Sequence, residues 1–278
     1  MHWLPTAPAT LTLLFFVIIP AALAVGAHAV FRRFVPPDRL LPHHDVAGFL
    51  VAIVGVLYAV ALGFIVVTTW SAFDAAQQTA DVEAGDIGDA FGFATMLPEP
   101  RRTSMRTMLA AYAIEVRDRE WSMMQRGEQD RRARELLLGA VRALGQPVPK
   151  ASVDLDEALN RSTTRTAIAQ SLRDIADNRR LRLIESAKGI EPALALALLL
   201  GAIMVIAFVF LFGVRDLMLQ LTMTAIVAGC IGLLLGVVVV FSAPYSGPLR
   251  VSPDGWTYVI DNNAFAHFAA GAASPTGK

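Results

Sequence analysis

One cysteine stands in the whole chain, Cys230, and it lies inside an apolar run. An intramolecular disulfide and a cysteine-based zinc cluster are therefore excluded, and Cys230 is expected to be a small core residue. Charge is scarce as well: Asp, Glu, Lys and Arg make up 17% of 278 residues, against roughly 25% in an ordinary soluble domain. Basic and acidic residues balance at 24 each, which leaves no surface basic enough for a nucleic acid. Catalytic signatures are missing too. There is no phosphate-cradling glycine loop, no HExxH and no nucleophile elbow, so the sequence points away from an enzyme and from any cofactor. His43-His44-Asp45 is the only cluster of metal-ligand residue types. Adjacent histidines point to different sides of most backbones. The segment therefore reads as a polar membrane boundary with Asp45 at the start of a helix, and no metal is expected.

Apolar residues are what the chain has in excess, at 55%. The charges are unevenly placed: 18 basic and 19 acidic residues fall between Ser71 and Glu191, and only 11 elsewhere. Four stretches lack Asp, Glu, Lys and Arg altogether: Leu11–Phe31, Val46–Trp70, Pro192–Val214 and Leu217–Ala243. Each is long enough to cross a hydrocarbon core, which takes roughly 20 helical residues. Inside lipid the backbone must satisfy its own hydrogen bonds, and runs of this length do so as helices. The predicted architecture is an all-α integral membrane protein with four transmembrane helices, two of them extending into a soluble helical domain. The expected division is 1–70 for the first two spans, 71–191 for the soluble domain, 192–243 for the last two spans, and 244–278 for a turn and C-terminal tail. A cleavable signal peptide is the alternative for the first run, because Ala27-His28-Ala29 resembles a cleavage site; the missing N-terminal Lys or Arg and the length of the run argue against it. Only Arg215 and Asp216 separate the last two runs, which predicts a tight antiparallel hairpin. Basic residues are nearly equal at the two membrane faces, with Arg179 and Arg182 counted at one of them, so the positive-inside rule does not orient the chain. The absence of charge in all four spans argues against proton coupling, but not against a passive pore of uncharged residues.

The soluble domain reads as helix throughout. Ser71 to Met96 continues the second span without a breaker until Pro98. Arg101 to Gln125 places Met105, Met108, Leu109, Tyr112 and Val116 at helical spacing. A short helix follows over Asp130–Leu144. A longer one over Asp154–Ala187 carries the stripe Leu155, Leu159, Thr166, Leu172, Ile175 and Leu183.

The second span is richest in pattern. Small residues recur at Gly48, Ala52, Gly55, Ala59 and Gly63, and in the fourth span at Ala225, Gly229, Gly232 and Gly236. Such ridges let another helix approach closely. Beside the first ridge, Phe49, Ile53, Val56, Val60 and Val67 fall within about 60° of one another at 100° per residue, with Phe64 just outside. The same face carries Asp45 at one end and Asp74, Asp81 and Asp89 at the other. Repeated around a symmetry axis, it makes acidic rings flanking an apolar constriction. Apolar constrictions gate by dewetting, and carboxylate rings favour cations. On pattern alone, lipid contact for the bulky residues is the competing account.

The ordered series His43-His44-Asp45-Val46-Ala47-Gly48, Gly55-Val56-Leu57-Tyr58-Ala59-Val60, Phe64, Trp70 and Phe73 resembles the bestrophin-like family of bacterial membrane proteins. Val82-Glu83-Ala84, Arg179-Arg180-Leu181-Arg182-Leu183 and Pro244-Tyr245-Ser246-Gly247 fit the same pattern, although Ser242 and Tyr245 replace an acid and a phenylalanine in the last. The resemblance spans about residues 10 to 260. It implies a homo-oligomer similar to the pentameric bestrophins in the inner membrane, among membrane lipids. The helical domain would be cytoplasmic, and inorganic ions would pass along a pore lined by the second helix. The resemblance implies chloride, whereas the acidic face leans towards cations. The alternative is a non-conducting membrane scaffold or sensor that recruits a partner through its helical domain.

Overall fold

The computed structural model describes residues 8–146, 155–187, 189–263, 265, 267 and 268. Among the described residues, eight principal helices follow in chain order. They are α1 (Ala9–Phe34), α2 (His44–Phe93), α3 (Arg101–Glu115), α4 (Arg131–Gly145), α5 (Leu155–Ser186), α6 (Pro192–Phe210), α7 (Leu217–Phe241) and α8 (Asp254–Asn262). No strand occurs among the described residues. Helices α1, α2, α6 and α7 are long and apolar enough to cross a membrane. The chain forms two compact units, one of residues 1–74 and 188–250, the other of 75–187 and 251–278.

In the first unit α1 lies along α7, and the reason is the glycine ridge of α7. A Cβ on Gly232 would run into the carbonyl oxygen of Phe16, and one on Gly236 would come within 2.8 Å of the Phe16 side chain. Between apolar helices in lipid no hydrophobic force acts, so close approach and polar bonds have to hold them together. The polar bond is His28 Nδ1 to Thr224 Oγ1, 2.7 Å and fully buried. Leu62 of α2, Leu198 of α6 and Val238 of α7 form the core of this unit, with Tyr58 packed against them. The Tyr58 hydroxyl donates to the Leu198 carbonyl at 3.1 Å, and Gly201 leaves room for its ring. The connection from α6 to α7 is longer than the two residues expected: α6 ends at Phe210 and α7 begins at Leu217. Asp216 caps α7 by accepting from the Leu219 amide at 3.1 Å. Arg32 donates to the Val214 carbonyl at 2.6 Å and so satisfies part of the connecting backbone.

In the second unit the distal part of α2 buries Ala76, Ala80, Glu83, Ala84, Ile87, Ala90 and Phe91. Helix α3 buries Met105, Leu109 and Tyr112. Met108 is only half-buried. The helix expected to run through Gln125 changes character midway: Val116–Glu120 is a π-helical turn, followed by Trp121–Met124. The stripe expected on α5 is also corrected. Thr166 is exposed, and the buried series is Ile168, Leu172, Ile175, Arg179 and Arg182. Leu172, Ile175 and Leu183 are buried as expected, and Ile168, Arg179 and Arg182 join them at a spacing of three and four residues. The side chains of Leu155 and Leu159 lie outside the described set. The C-terminal segment is more than a turn and tail. Asp254–Asn262 is helical, and Trp256, Ile260 and Phe265 are buried in this unit. Residues 269–278, the end of the expected tail, lie outside the described residues.

Candidate pore-lining face and a buried charge cluster

Helix α2 presents two faces in the first unit. One carries Ala47, Tyr58 and Leu62, which are turned into the chain. The other is nearly opposite, since Phe49 and Tyr58 are nine residues and so about 180° apart. On that outer face Phe49 is 69% exposed, Val56 62%, Val60 54% and Phe64 69%. Ile53 and Val67 are exposed there too. The five candidate gate residues therefore share one outward apolar strip. Asp45 and Asp74 are exposed in the first unit, and Asp81 and Asp89 in the second. Asp81 is held by its own helix, accepting from Gln77 Nε2 at 3.0 and 3.1 Å. The side chains of His43 and His44 lie outside the described set.

The glycine ridges divide. Gly229, Gly232 and Gly236 meet α1. Gly48 approaches Phe212, whereas Gly55 and Gly63 have nothing within 4 Å of a Cβ position. Cys230 is exposed rather than a core residue.

Two further expectations are corrected. Counting only Asp, Glu, Lys and Arg overlooked His28, a titratable side chain buried in the first span. Its Nε2 and Gln220 Oε1 are both buried without a partner. The inference from uncharged spans is weaker by that one residue. The arginine-rich approach to the third span is likewise not all surface: Arg182 is fully buried and Arg179 nearly so.

These arginines belong to a cluster that sequence reasoning missed. Arg182 donates to Glu83 through Nε at 2.6 Å and Nη2 at 3.0 Å, and to Glu120 through Nη2 at 2.9 Å. Arg179 donates to both oxygens of Glu120 and to the Asp130 carbonyl at 3.1 Å. The Tyr112 hydroxyl donates to Glu83 at 2.7 Å. Two guanidinium groups thus balance two carboxylates, all buried, with the Trp121 and Trp256 rings 5.5 and 6.0 Å from the Arg182 carbon. Burial pulls the Arg182 guanidinium down, but Glu83 and Glu120 outweigh it and hold it well above its ordinary range. Burial, reinforced by Glu83, pushes the Tyr112 phenol far up. The signal was present: Glu83 shares the helical face of Ala76, Ala80 and Ile87, and Arg179 and Arg182 continue the face of Leu172 and Ile175. The π turn brings Glu120 to them. Such turns are rare and often mark specialised sites, and no residue pattern announces this one.

Solved structures with the same fold include a substituted form of a bacterial bestrophin homologue from Klebsiella pneumoniae. It shows a TM-score of 0.65 at 14% identity, covering 93% of this chain and 99% of that one. A second structure described as that homologue gives 0.64 at 13%, covering 91% and 98%. Another substituted form gives 0.63 at 15%, covering 94% and 98%. No curated protein matches the sequence. The Bestrophin-like domain matches residues 18–256. That span takes in most of α1, the other three apolar helices and the whole charge cluster, and the chain belongs to the Bestrophin-like family.

Proposed function

We propose that this chain is the subunit of an oligomeric, passive ion channel of the inner membrane, with its pore lined by α2 and its helical unit in the cytoplasm. The observation that carries the reading is the outer face of α2. Phe49, Ile53, Val56, Val60 and Phe64 are exposed side by side in the first unit, which suits a pore wall. Gly55 and Gly63 of the neighbouring small ridge, with nothing within 4 Å of a Cβ position, suit the approach of another subunit. Family membership supports the assembly, and a pentamer is the number the resemblance implies. Asp45, Asp74, Asp81 and Asp89 extend the same helical face at both ends, so the pore favours cations over chloride.

Flux into liposomes tests this. Wild-type protein passes small cations, and Val60→Ala and Phe49→Ala, by widening the apolar constriction, pass them faster. Reversal potentials read the preference between cations and chloride. The proposal falls if none of the three proteins conducts, or if lipid probes rather than aqueous ones label positions 49 and 60. A non-conducting protein from which residues 71–191 capture one specific partner would establish the scaffold reading instead.

A further inference from the structure

The second unit holds a cavity of about 360 Å³ where the start of α3, the end of α4 and α5 come together. That volume falls among small-molecule sites. Two arginines line it, Arg101 as the first residue of α3 and Arg165 from α5. Both are anchored on carbonyls at the end of α4. Arg165 Nη2 donates to the Leu144 carbonyl at 2.8 Å, and Arg101 Nη2 donates to the Gln146 carbonyl at 3.0 Å. Basic side chains often close a helix end in this way. These acceptors are neutral, however, so two positive charges stand on one cavity wall. Among the described residues no carboxylate lines the cavity. Glu99, the nearest acid before α3, accepts from the Thr103 hydroxyl at 2.9 Å and stands 3.8 Å from Arg102. The rest of the wall is mostly apolar, with Leu97, Met105 and Leu144.

We propose that this cavity binds a small organic phosphate, its phosphate held by Arg101 and Arg165 and its carbon part laid against Leu97, Met105 and Leu144. A guanidinium offers five donors in a planar fork that matches phosphate oxygens. The Leu144 carbonyl engages one N–H of Arg165, and the fork keeps others for a ligand. The amino end of α3 adds the positive pole of its helix. Bonds between charged donors and phosphate are the strong kind, and two such forks fix the anion in place. A bare inorganic ion would leave the apolar wall in water, whereas a carbon group beside the phosphate covers it. Capping of α4 accounts for the two carbonyl bonds alone. It does not account for a concave wall that joins two cations to apolar side chains. A lipid headgroup carries the same phosphate chemistry, but the volume suits a small ligand rather than a pair of acyl chains.

Thermal unfolding of the full-length protein in detergent, at fixed ionic strength, tests the site. The probes are phenyl phosphate, inorganic phosphate and a short-chain phosphatidic acid. Phenyl phosphate raises the melting temperature of wild type and has its phosphorus NMR line broadened, at concentrations about tenfold below those that inorganic phosphate requires. Arg165→Gln weakens its binding by about tenfold or more, because a charged donor is lost. Ser104→Asp weakens it as much while leaving both carbonyl bonds in place, since Ser104 lines the same cavity and the new carboxylate repels the phosphate. Without ligand that variant melts close to wild type, because an acid suits the start of a helix. The readout is binding and does not depend on conduction. The proposal is overturned if phenyl phosphate neither shifts the melting temperature nor broadens its line, or if both variants bind it as wild type does. Equal binding of inorganic phosphate also overturns it, by leaving only a basic surface. So does stabilisation by the phosphatidic acid alone, which would assign the phosphate to a lipid headgroup.

Discussion

Replacing Arg182 by leucine removes three hydrogen bonds to carboxylates while keeping an apolar side chain in the cluster. Glu120 retains Arg179, but Glu83 is left with the Tyr112 hydroxyl alone, 2.7 Å away. The cluster then holds one uncompensated buried negative charge. Such a charge escapes by taking a proton. Holding a glutamic acid neutral at pH 7 costs about 1.4 kcal/mol for each pH unit above an ordinary value near 4.3, or about 4 kcal/mol. That agrees with the roughly 3–5 kcal/mol typical of breaking a buried ion pair. The loss therefore shrinks by about 1.4 kcal/mol for each unit that pH is lowered. Denaturant unfolding in detergent, followed by the fluorescence of Trp121 and Trp256 beside the site, measures it. Adding Glu83→Gln to Arg182→Leu removes the orphaned charge and recovers most of the stability at pH 7. A loss below about 1 kcal/mol, a loss that does not vary with pH, or no recovery in the double variant refutes the reasoning.

Three other perturbations follow from the packing. Gly232→Leu drives a side chain into the Phe16 carbonyl and separates α1 from α7; the variant should lose thermal stability in detergent, whereas Gly55→Ala, with open space around it, should not. Thr224→Val deletes the buried partner of His28, and a loss of about 1–3 kcal/mol is expected for the histidine nitrogen left unpaired. Tyr112, whose phenol is held far above its ordinary value by burial, should show no phenolate absorbance until the second unit opens. Above about pH 10 wild-type stability should fall by up to about 1.4 kcal/mol per pH unit, with a shallower fall in Tyr112→Phe.

Much of the membrane part was legible because lipid imposes one rule on every residue of a span. The four apolar runs match α1, α2, α6 and α7 within a few residues at most ends. The uninterrupted passage of α2 beyond Trp70 followed from the lack of any breaker before Pro98. The interior of the second unit was harder. Glu83, Arg179 and Arg182 obey the helical period of the core but are charged, and charged residues are almost never fully buried unless paired. Their pairing depends on Glu120, which a π turn places, and on charged partners 59 to 99 residues away in sequence. Neither is encoded in a local pattern. Helix α8 escaped notice for another reason. Nine residues are too few to show a periodic stripe, so Trp256 read as part of a tail. His28 was missed by a rule that counted only four residue types.

The charge cluster also sets an order for biosynthesis. Glu83 leaves the ribosome long before Arg182, 99 residues later, and until then it needs water. The distal half of α2 thus has no reason to leave solvent while α3 and α4 are being made. Once α5 emerges, the four charges can neutralise one another before α6 and α7 have been synthesised. Trp256 arrives last and lies against the finished cluster from a segment made after every membrane helix. A chain stopped short of α8 would carry all four spans and all four buried charges, yet would leave Tyr112 and Arg182 uncovered. Completion of the second unit is in this sense a record that translation reached the end of the membrane domain.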